Sequence, residues 1–319
     1  MLRPRDFLGR GDPLELEALT GDAGLDRQLP DPEVASPGLA LAGYTGRFAP
    51  QRIHVLGETE ITYLRSLDAA ARHERLRAFF AFDVPCVFVT KGLEVPSELV
   101  ALAREHGVPL LRSRLKTADF YRRIKPIVEA AFAPTTTLHG SLADVYGVGL
   151  LFVGRSGIGK SECVLDLVER GHRLVADDVV RVTRRGTDVL IGRGHELAGH
   201  HMEIRGIGLI DIPQLFGIRS VRQQKRIEVV VQLEDWTETN DADRTGLARQ
   251  ETEVLGVMLP KVVVPLNPGK NLTVISEVVA MNHLLRYAGI DVAQQFNEKL
   301  IARMKEKVGV AAYLQEDYE

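Results

Sequence analysis

The sequence predicts an α/β protein of two domains. Residues 1–132 form a small N-terminal α/β domain with a mostly parallel sheet, and 133–319 form a C-terminal domain that carries a glycine-rich loop and closes with two helices. Three observations lead there. Short β-branched runs alternate with helix-period segments through the first half. The string Gly154, Arg155, Ser156, Gly157, Ile158, Gly159, Lys160, Ser161 spells G-x-x-x-x-G-K-S between an apolar run and a helix-like segment. At Pro134, Thr135, Thr136 and Thr137 the pattern breaks and the chain becomes richer in Gly and β-branched runs, which sets the boundary.

In the first half, strands are expected near 53–56, 86–90 and 109–111, where short apolar runs are bounded by turn residues. Helical periodicity covers 60–67, 69–80, 98–106 and 117–132, and such alternation favours parallel strands. In the second half, the strand 148–153 enters the glycine loop and the helix 162–170 leaves it. Further strands are expected at 174–176, 179–182, 189–191, 226–233 and 261–265. Two amphipathic helices follow at 272–288 and 292–307, interrupted at Gly289. The polar stretch 239–245 reads as a surface loop.

Composition limits the classes of function. With 319 residues and 45% hydrophobic side chains, two domains can each bury a core. A net charge of -3 provides no field to collect nucleic acid or an anionic membrane, so nucleotides and proteins are the expected partners. Two cysteines, Cys86 and Cys163, are too few for a disulfide framework. No stretch reaches the length of a membrane span and residues 1–13 lack a signal-peptide core, so a soluble cytoplasmic protein is expected.

The glycine loop is a phosphate-binding loop by composition and context. Glycines let successive backbone N–H groups turn onto a phosphate chain, and the helix N-terminus adds partial positive charge. Lys160 reaches the outer phosphates and Ser161 is placed to ligate Mg²⁺. Asp177 and Asp178 end the strand-like segment after the loop helix, so the chain returns to the same sheet with two carboxylates. Either can accept a proton from an attacking hydroxyl, bind Mg²⁺, or simply cap a strand.

His139 lies in TTTLHGSLADVYGVG, a segment expected to pair with the loop strand, as a hydrogen-bond donor to a nucleotide phosphate, a carboxylate orienter or a structural hydrogen-bonder. In MEIRGIG, Glu203 and Arg205 alternate with apolar residues and read either as a metal-binding carboxylate beside a phosphate-binding guanidinium, or as a solvated ion pair. Arg244 in the polar loop, and Asn267 and Lys270 in a turn before the penultimate helix, sit where a loop can close over substrate. Arg219, Arg222, Lys225 and Arg226 suit a charged edge strand better than a docking surface for an acidic protein. His195, His200 and His201 surround Glu196 at a spacing that matches no common zinc site.

Taken in order, LHGSLADVYGVG, GRSGIGKS, RGHRLVADD, MEIRGIG, DRTGL and the P-x-x-P-G-x-N-L turn resemble the bifunctional HPr kinase/phosphorylases of bacterial sugar-uptake regulation. GLDR, SPGLALAGY, RIHVLGETE, VTKGLEVP, VPLLRS and APTTTLHG extend the likeness through the N-terminal half. The resemblance implies a C-terminal phosphate-loop kinase domain with a carboxykinase-like core. It implies phosphorylation of a serine of the phosphocarrier HPr from ATP or pyrophosphate with Mg²⁺, reversed by inorganic phosphate with release of pyrophosphate. By the same resemblance Asp178 serves as base and acid, His139, Lys160 and Arg244 are catalytic, Ser161 and Glu203 hold Mg²⁺, and the chain forms a homohexamer.

One departure stands out. The turn that in the family usually reads P-V-R-P-G-R-N, and is tied there to dephosphorylation, reads Pro265, Leu266, Asn267, Pro268, Gly269, Lys270, Asn271 here. Lys270 keeps a charge without the planar fork and Asn267 loses the charge, so a weakened reverse reaction is expected. Two other readings compete: a small-metabolite kinase or carboxykinase-like enzyme on a related core, and a non-catalytic nucleotide-gated regulator. Intact carboxylates at Asp177, Asp178 and Glu203 speak against the second, because a switch needs no proton acceptor.

Overall fold

The computed structural model describes residues 2–9, 12–195, 200–235, 250–266 and 269–316, with 305–316 as backbone. It divides into two compact units, Met1–Ala133 and Pro134–Glu319.

In the first unit five strands lie in the order Leu16–Ala18, Leu110–Ser113, Val87–Val89, Ile53–Leu56, Val34–Ala35. The last four are parallel to one another and Leu16–Ala18 is an antiparallel edge. Apolar layers cover both faces, which is why Ile53–Leu56 and Val87–Val89 are buried at every residue instead of alternating. Leu56, Val87, Val89 and Leu110 pack with Ile61, Leu64, Leu76, Phe79 and Leu99. Val55, Phe88 and Leu111 pack on the opposite side with Phe120, Ile124 and Val128. Helices Glu58–Ser66, Ala69–Phe80 and Ser97–Glu105 thus share one face and Thr117–Phe132 takes the other. Each fully buried side chain of this size contributes about 1.5–3 kcal/mol relative to exposure. The expected strands and helices are present, their ends shifted by at most two residues. Leu16–Ala18 and Val34–Ala35 are additional, because two or three residues carry no readable period.

In the second unit six strands follow the order Gln250–Val254, Val257–Leu266, Val229–Asp235, Val148–Val153, Ser141–Val145, Arg173–Ala176. The middle run 257–266, 229–235 and 148–153 is parallel. Strands at both edges are antiparallel. Val148, Leu150 and Phe152 face helices Lys160–Glu169 and Leu272–Tyr287, in a core with Cys163, Val164, Leu167 and Ala280. Leu151 and Val230 face the other way, onto Val180, Val182, Leu190 and Ile227. Those last residues belong to, or adjoin, a second sheet, antiparallel throughout, ordered Gln224–Arg226, Val189–Arg193, Val179–Arg185, Thr135–His139. The loop strand is therefore sandwiched between helices and a second sheet. Glu277 of the penultimate helix, 6% exposed, accepts two bonds from Arg170 at 2.9 and 2.8 Å and one from His172 Nε2 at 3.1 Å, tying that helix to the end of the loop helix.

Two expectations about this unit are corrected. The run 226–233 is not one strand: the chain crosses between sheets at Ile227 and Glu228, whose N–H donates to Gly149 O at 2.9 Å while its carboxylate accepts the Gly149 N–H at 2.7 Å. The segment around His139 also splits. Ser141–Val145 pairs with the loop strand as expected, but Thr135–His139 pairs with Val179–Arg185 in the second sheet. Gly140 is the hinge, because a Cβ there would collide with the Phe152 carbonyl oxygen.

Candidate active site

Val148–Val153 ends at the sheet edge where its parallel neighbours also end, and the loop turns from there into helix Lys160–Glu169. Open α/β sheets place ligands outside the carboxyl ends of such strands. Gly154, Gly157 and Gly159 have φ of 153°, 74° and 102°, which a side chain at these positions would strain. Their backbone wraps around Lys160, which is 5% exposed and donates from Nζ to Gly154 O at 3.2 Å and Arg155 O at 3.0 Å. The ammonium thus waits inside its own loop, bound to carbonyls that a phosphate oxygen outcompetes by charge. Ser156 and Gly157 are exposed, while Ile158 anchors the loop in the apolar core.

Arg155 turns outward. Its guanidinium grips Asp235 with Nε–Oδ2 at 2.5 Å and Nη2–Oδ1 at 2.8 Å, and the pairing holds the Asp235 carboxyl below its usual range. Asp235 ends the neighbouring parallel strand, so this clamp fixes the outer wall of the loop.

The carboxylates converge on the helix start. Asp177 Oδ1 accepts the Ser161 hydroxyl at 3.0 Å and the Ser141 hydroxyl at 2.5 Å. Burial pushes the Asp177 carboxyl above its usual range, against the two hydroxyls that favour its charge. Asp178, exposed, is the turning residue between Arg173–Ala176 and Val179–Arg185, and holds a left-handed φ of 61°. A non-glycine residue in that region marks a constrained position. His139 is brought beside it: His139 and Val179 are register partners, and Gly140 N–H donates to Asp178 O at 3.0 Å. Cross-strand partners share a face, so His139 and Val179 lie on the exposed side of the second sheet while Val180 points into the core.

Met202 and Ile204 of the strand His201–Ile204 sit in the core with Ile158 and Cys163, which leaves Glu203 exposed on the outer face. Arg205, just beyond, lies over the loop: a Cβ on Gly157 would approach its Cζ to 2.8 Å. The pairing of Glu203 with Arg205 as a solvated ion pair is not among the ion pairs of the described residues.

Lys270 donates to Pro265 O at 3.0 Å, a contact within its own turn. That turn follows Val257–Leu266, whose Leu266 is the register partner of Asp235. Arg244 and Asn267 lie outside the described residues. Of the basic cluster, Arg222 pairs with buried Asp144 at 2.7 Å and Lys225 with Glu228 at 2.6 Å. His200 Nε2 donates to Arg222 O at 3.1 Å, and His201 lies 3.4 Å from Asp211. Sequence reasoning missed Ser141 and Asp235. Ser141 gives no sequence signal, whereas a carboxylate ending a parallel strand beside a phosphate loop is a signal in itself.

The family profile described as HPr Serine kinase N terminus matches residues 8–127, and that of the HPr Serine kinase C-terminal domain matches 130–300. A protein of Geobacter sulfurreducens named HPr kinase/phosphorylase is 46% identical over 292 residues, 92% of either chain. One of the same name from Bacillus cytotoxicus is 41% identical over 95% of this chain and 97% of its own. A third, from Chloroherpeton thalassium, is 43% identical over 92% of this chain and 88% of its own. With both profiles matched in order and relatives this similar along nearly the whole length, the chain belongs to the HPr kinase/phosphorylase family.

Proposed function

We propose that this protein phosphorylates a serine of the phosphocarrier HPr, using ATP or pyrophosphate, and reverses the reaction by phosphorolysis. The observation that carries the reading is the meeting of loop and acids: Ser161 Oγ stands 3.0 Å from Asp177 Oδ1, and Asp178 is the next residue along. In the forward direction the seryl oxygen bonds to the terminal phosphorus, the bridging P–O bond breaks, and Asp178 takes the seryl proton. In reverse, inorganic phosphate attacks the phosphoserine, Asp178 returns the proton to the leaving seryl oxygen, and pyrophosphate forms. Lys160 exchanges its loop carbonyls for phosphate oxygens, the loop N–H groups and Arg205 add donors, His139 assists beside Asp178, and Arg244 supports the transferred group.

The donors at the helix start are oxygens, which suits a hard cation bound by few protein ligands. Ser161 and Glu203 would hold Mg²⁺ together with phosphate oxygens, and the ion, when bound, neutralises phosphate charge. A homo-oligomer, a hexamer by family resemblance, belongs to the same reading. Ile207, Leu209 and Ile218 are 72%, 72% and 76% exposed near the strand that carries Glu203, and association would cover such surface; sedimentation measures it. We place the activity in the cytoplasm, with no nucleic acid or membrane as partner.

The test is incubation of the purified chain with HPr, Mg²⁺ and labelled ATP or pyrophosphate, followed by added phosphate. Label on an HPr serine that phosphate then removes supports the reading; label passing only to a small metabolite favours the rival kinase. Asn267→Arg with Lys270→Arg is expected to raise phosphorolysis relative to kinase rate by about ten- to a hundredfold, the worth of one regained charged hydrogen bond. An unchanged ratio refutes the weakened reverse reaction.

A further inference from the structure

We propose that the N-terminal unit holds a second ligand site, for a small hydroxylated anion, in the cavity between the turn of helix Gly38–Leu41 and the strand Ile53–Leu56. The cavity encloses about 190 Å³ and its lining includes Ser36, Tyr44, Arg47, Phe48, Arg52 and His54. A liquid water takes about 30 Å³, so the space is that of roughly six waters, a small-metabolite size.

Two arginines line this cavity and no acidic residue does. Among the described residues neither Arg47 nor Arg52 has an ion-pair partner, and Arg52 Nε is buried without a hydrogen bond. Glu60, which meets the cavity-lining Ser36, is already engaged, accepting the Ser36 hydroxyl at 2.5 Å and the Gly57 N–H at 2.8 Å.

His54 supplies the second observation. It is 1% exposed, stacked on Phe48 at 5.0 Å and met edge-on by Phe79 at 5.7 Å. Its Nε2 donates to Pro50 O at 3.2 Å, so in the neutral ring Nδ1 carries a lone pair, and that buried Nδ1 has no partner. Native interiors seldom leave one buried donor and one buried acceptor unpaired at a single cavity. A phosphate or carboxylate fits the guanidinium fork, a neighbouring hydroxyl fits Nδ1, and Tyr44, Phe48 and Leu39 offer apolar wall to the carbon skeleton.

The proposal stands apart from the catalytic reading, and its test keeps the two separate. The full-length Lys160→Met variant, with the loop charge removed, is titrated calorimetrically with glucose 6-phosphate, glucose, malate and inorganic phosphate. Saturable binding of glucose 6-phosphate or malate is expected, tenfold or more weaker in Arg52→Ala, with whichever of the two binds identifying phosphate or carboxylate. Arg47 is exposed, so Arg47→Ala provides a variant that leaves the fold intact, checked by its unliganded melting temperature. Absence of saturation with all four probes, equal binding of glucose, or affinity unchanged in both arginine variants overturns the site.

Discussion

The phosphate loop and the N-terminal cavity treat their polar groups in opposite ways. At the phosphate loop the buried ones are wired internally, Lys160 to two carbonyls and Asp177 to two hydroxyls, and exposed Arg155 is clamped to Asp235. In the N-terminal cavity Arg52 Nε and His54 Nδ1 are left open. Internal partners keep a charged site folded before its substrate arrives, since an unpaired buried charge costs several kcal/mol. Open partners leave the cost standing until a ligand supplies the missing bond. The wired site belongs to chemistry that must be preorganised, and the open one to binding.

Asp178→Asn breaks the comparison most sharply. Asparagine tolerates the left-handed backbone that Asp178 adopts, so geometry survives while the proton acceptor is lost. Phosphorylation of HPr serine is expected to fall by about 10²–10⁴ with little change in nucleotide affinity, measured by labelled-ATP kinetics. An unaffected rate would strip Asp178 of its role.

The next largest effect lies in the other unit. Burial holds His54 down to about 4, below its unfolded value near 6.5, so the unfolded chain binds the extra proton first. Stability contributed by the neutral ring is present above pH 6.5 and drains as pH falls towards 4, by about 3 kcal/mol in all. His54→Phe is expected to flatten that part of the melting profile, read by thermal denaturation across pH 4–7. A slope identical to wild type would show that the ring is solvated.

A smaller effect comes from the unit that carries the phosphate loop. The Arg170 guanidinium, with His172 adding a second contact, holds the Glu277 carboxyl below its usual range, so its stabilisation is present above pH 4.5 and disappears as pH drops through the lowered folded value. Glu277→Gln is expected to cost about 1–2 kcal/mol at pH 7 and progressively less in acid. Equal loss at all pH values would mean that shape, rather than charge, matters there.

Regular elements with strong periods were legible from sequence: the helix 69–80, the helix 117–132 and the strand 148–153 appear with the expected bounds. So was the loop, because its spacing encodes a local strand–turn–helix event. Strand pairing was less legible. The sequence showed apolar runs around Gly140 and Ile227 but not that the chain changes sheets there, since a β-branched run looks the same in either sheet. Ser141 and Asp235 join the site through contacts 36 and 80 residues away, which no local pattern encodes.

By itself the sequence determined which segments could bury a face and which could cradle phosphate, because period, glycine placement and a lysine at the helix start are local properties. Only the tertiary structure decided that Asp177 is the carboxylate tied to Ser161, that Asp178 turns outward beside His139, and that Arg205 covers Gly157. Two adjacent aspartates are chemically identical on paper. They diverge once a left-handed turn and two sheets hold one against the Ser141 and Ser161 hydroxyls and the other towards solvent.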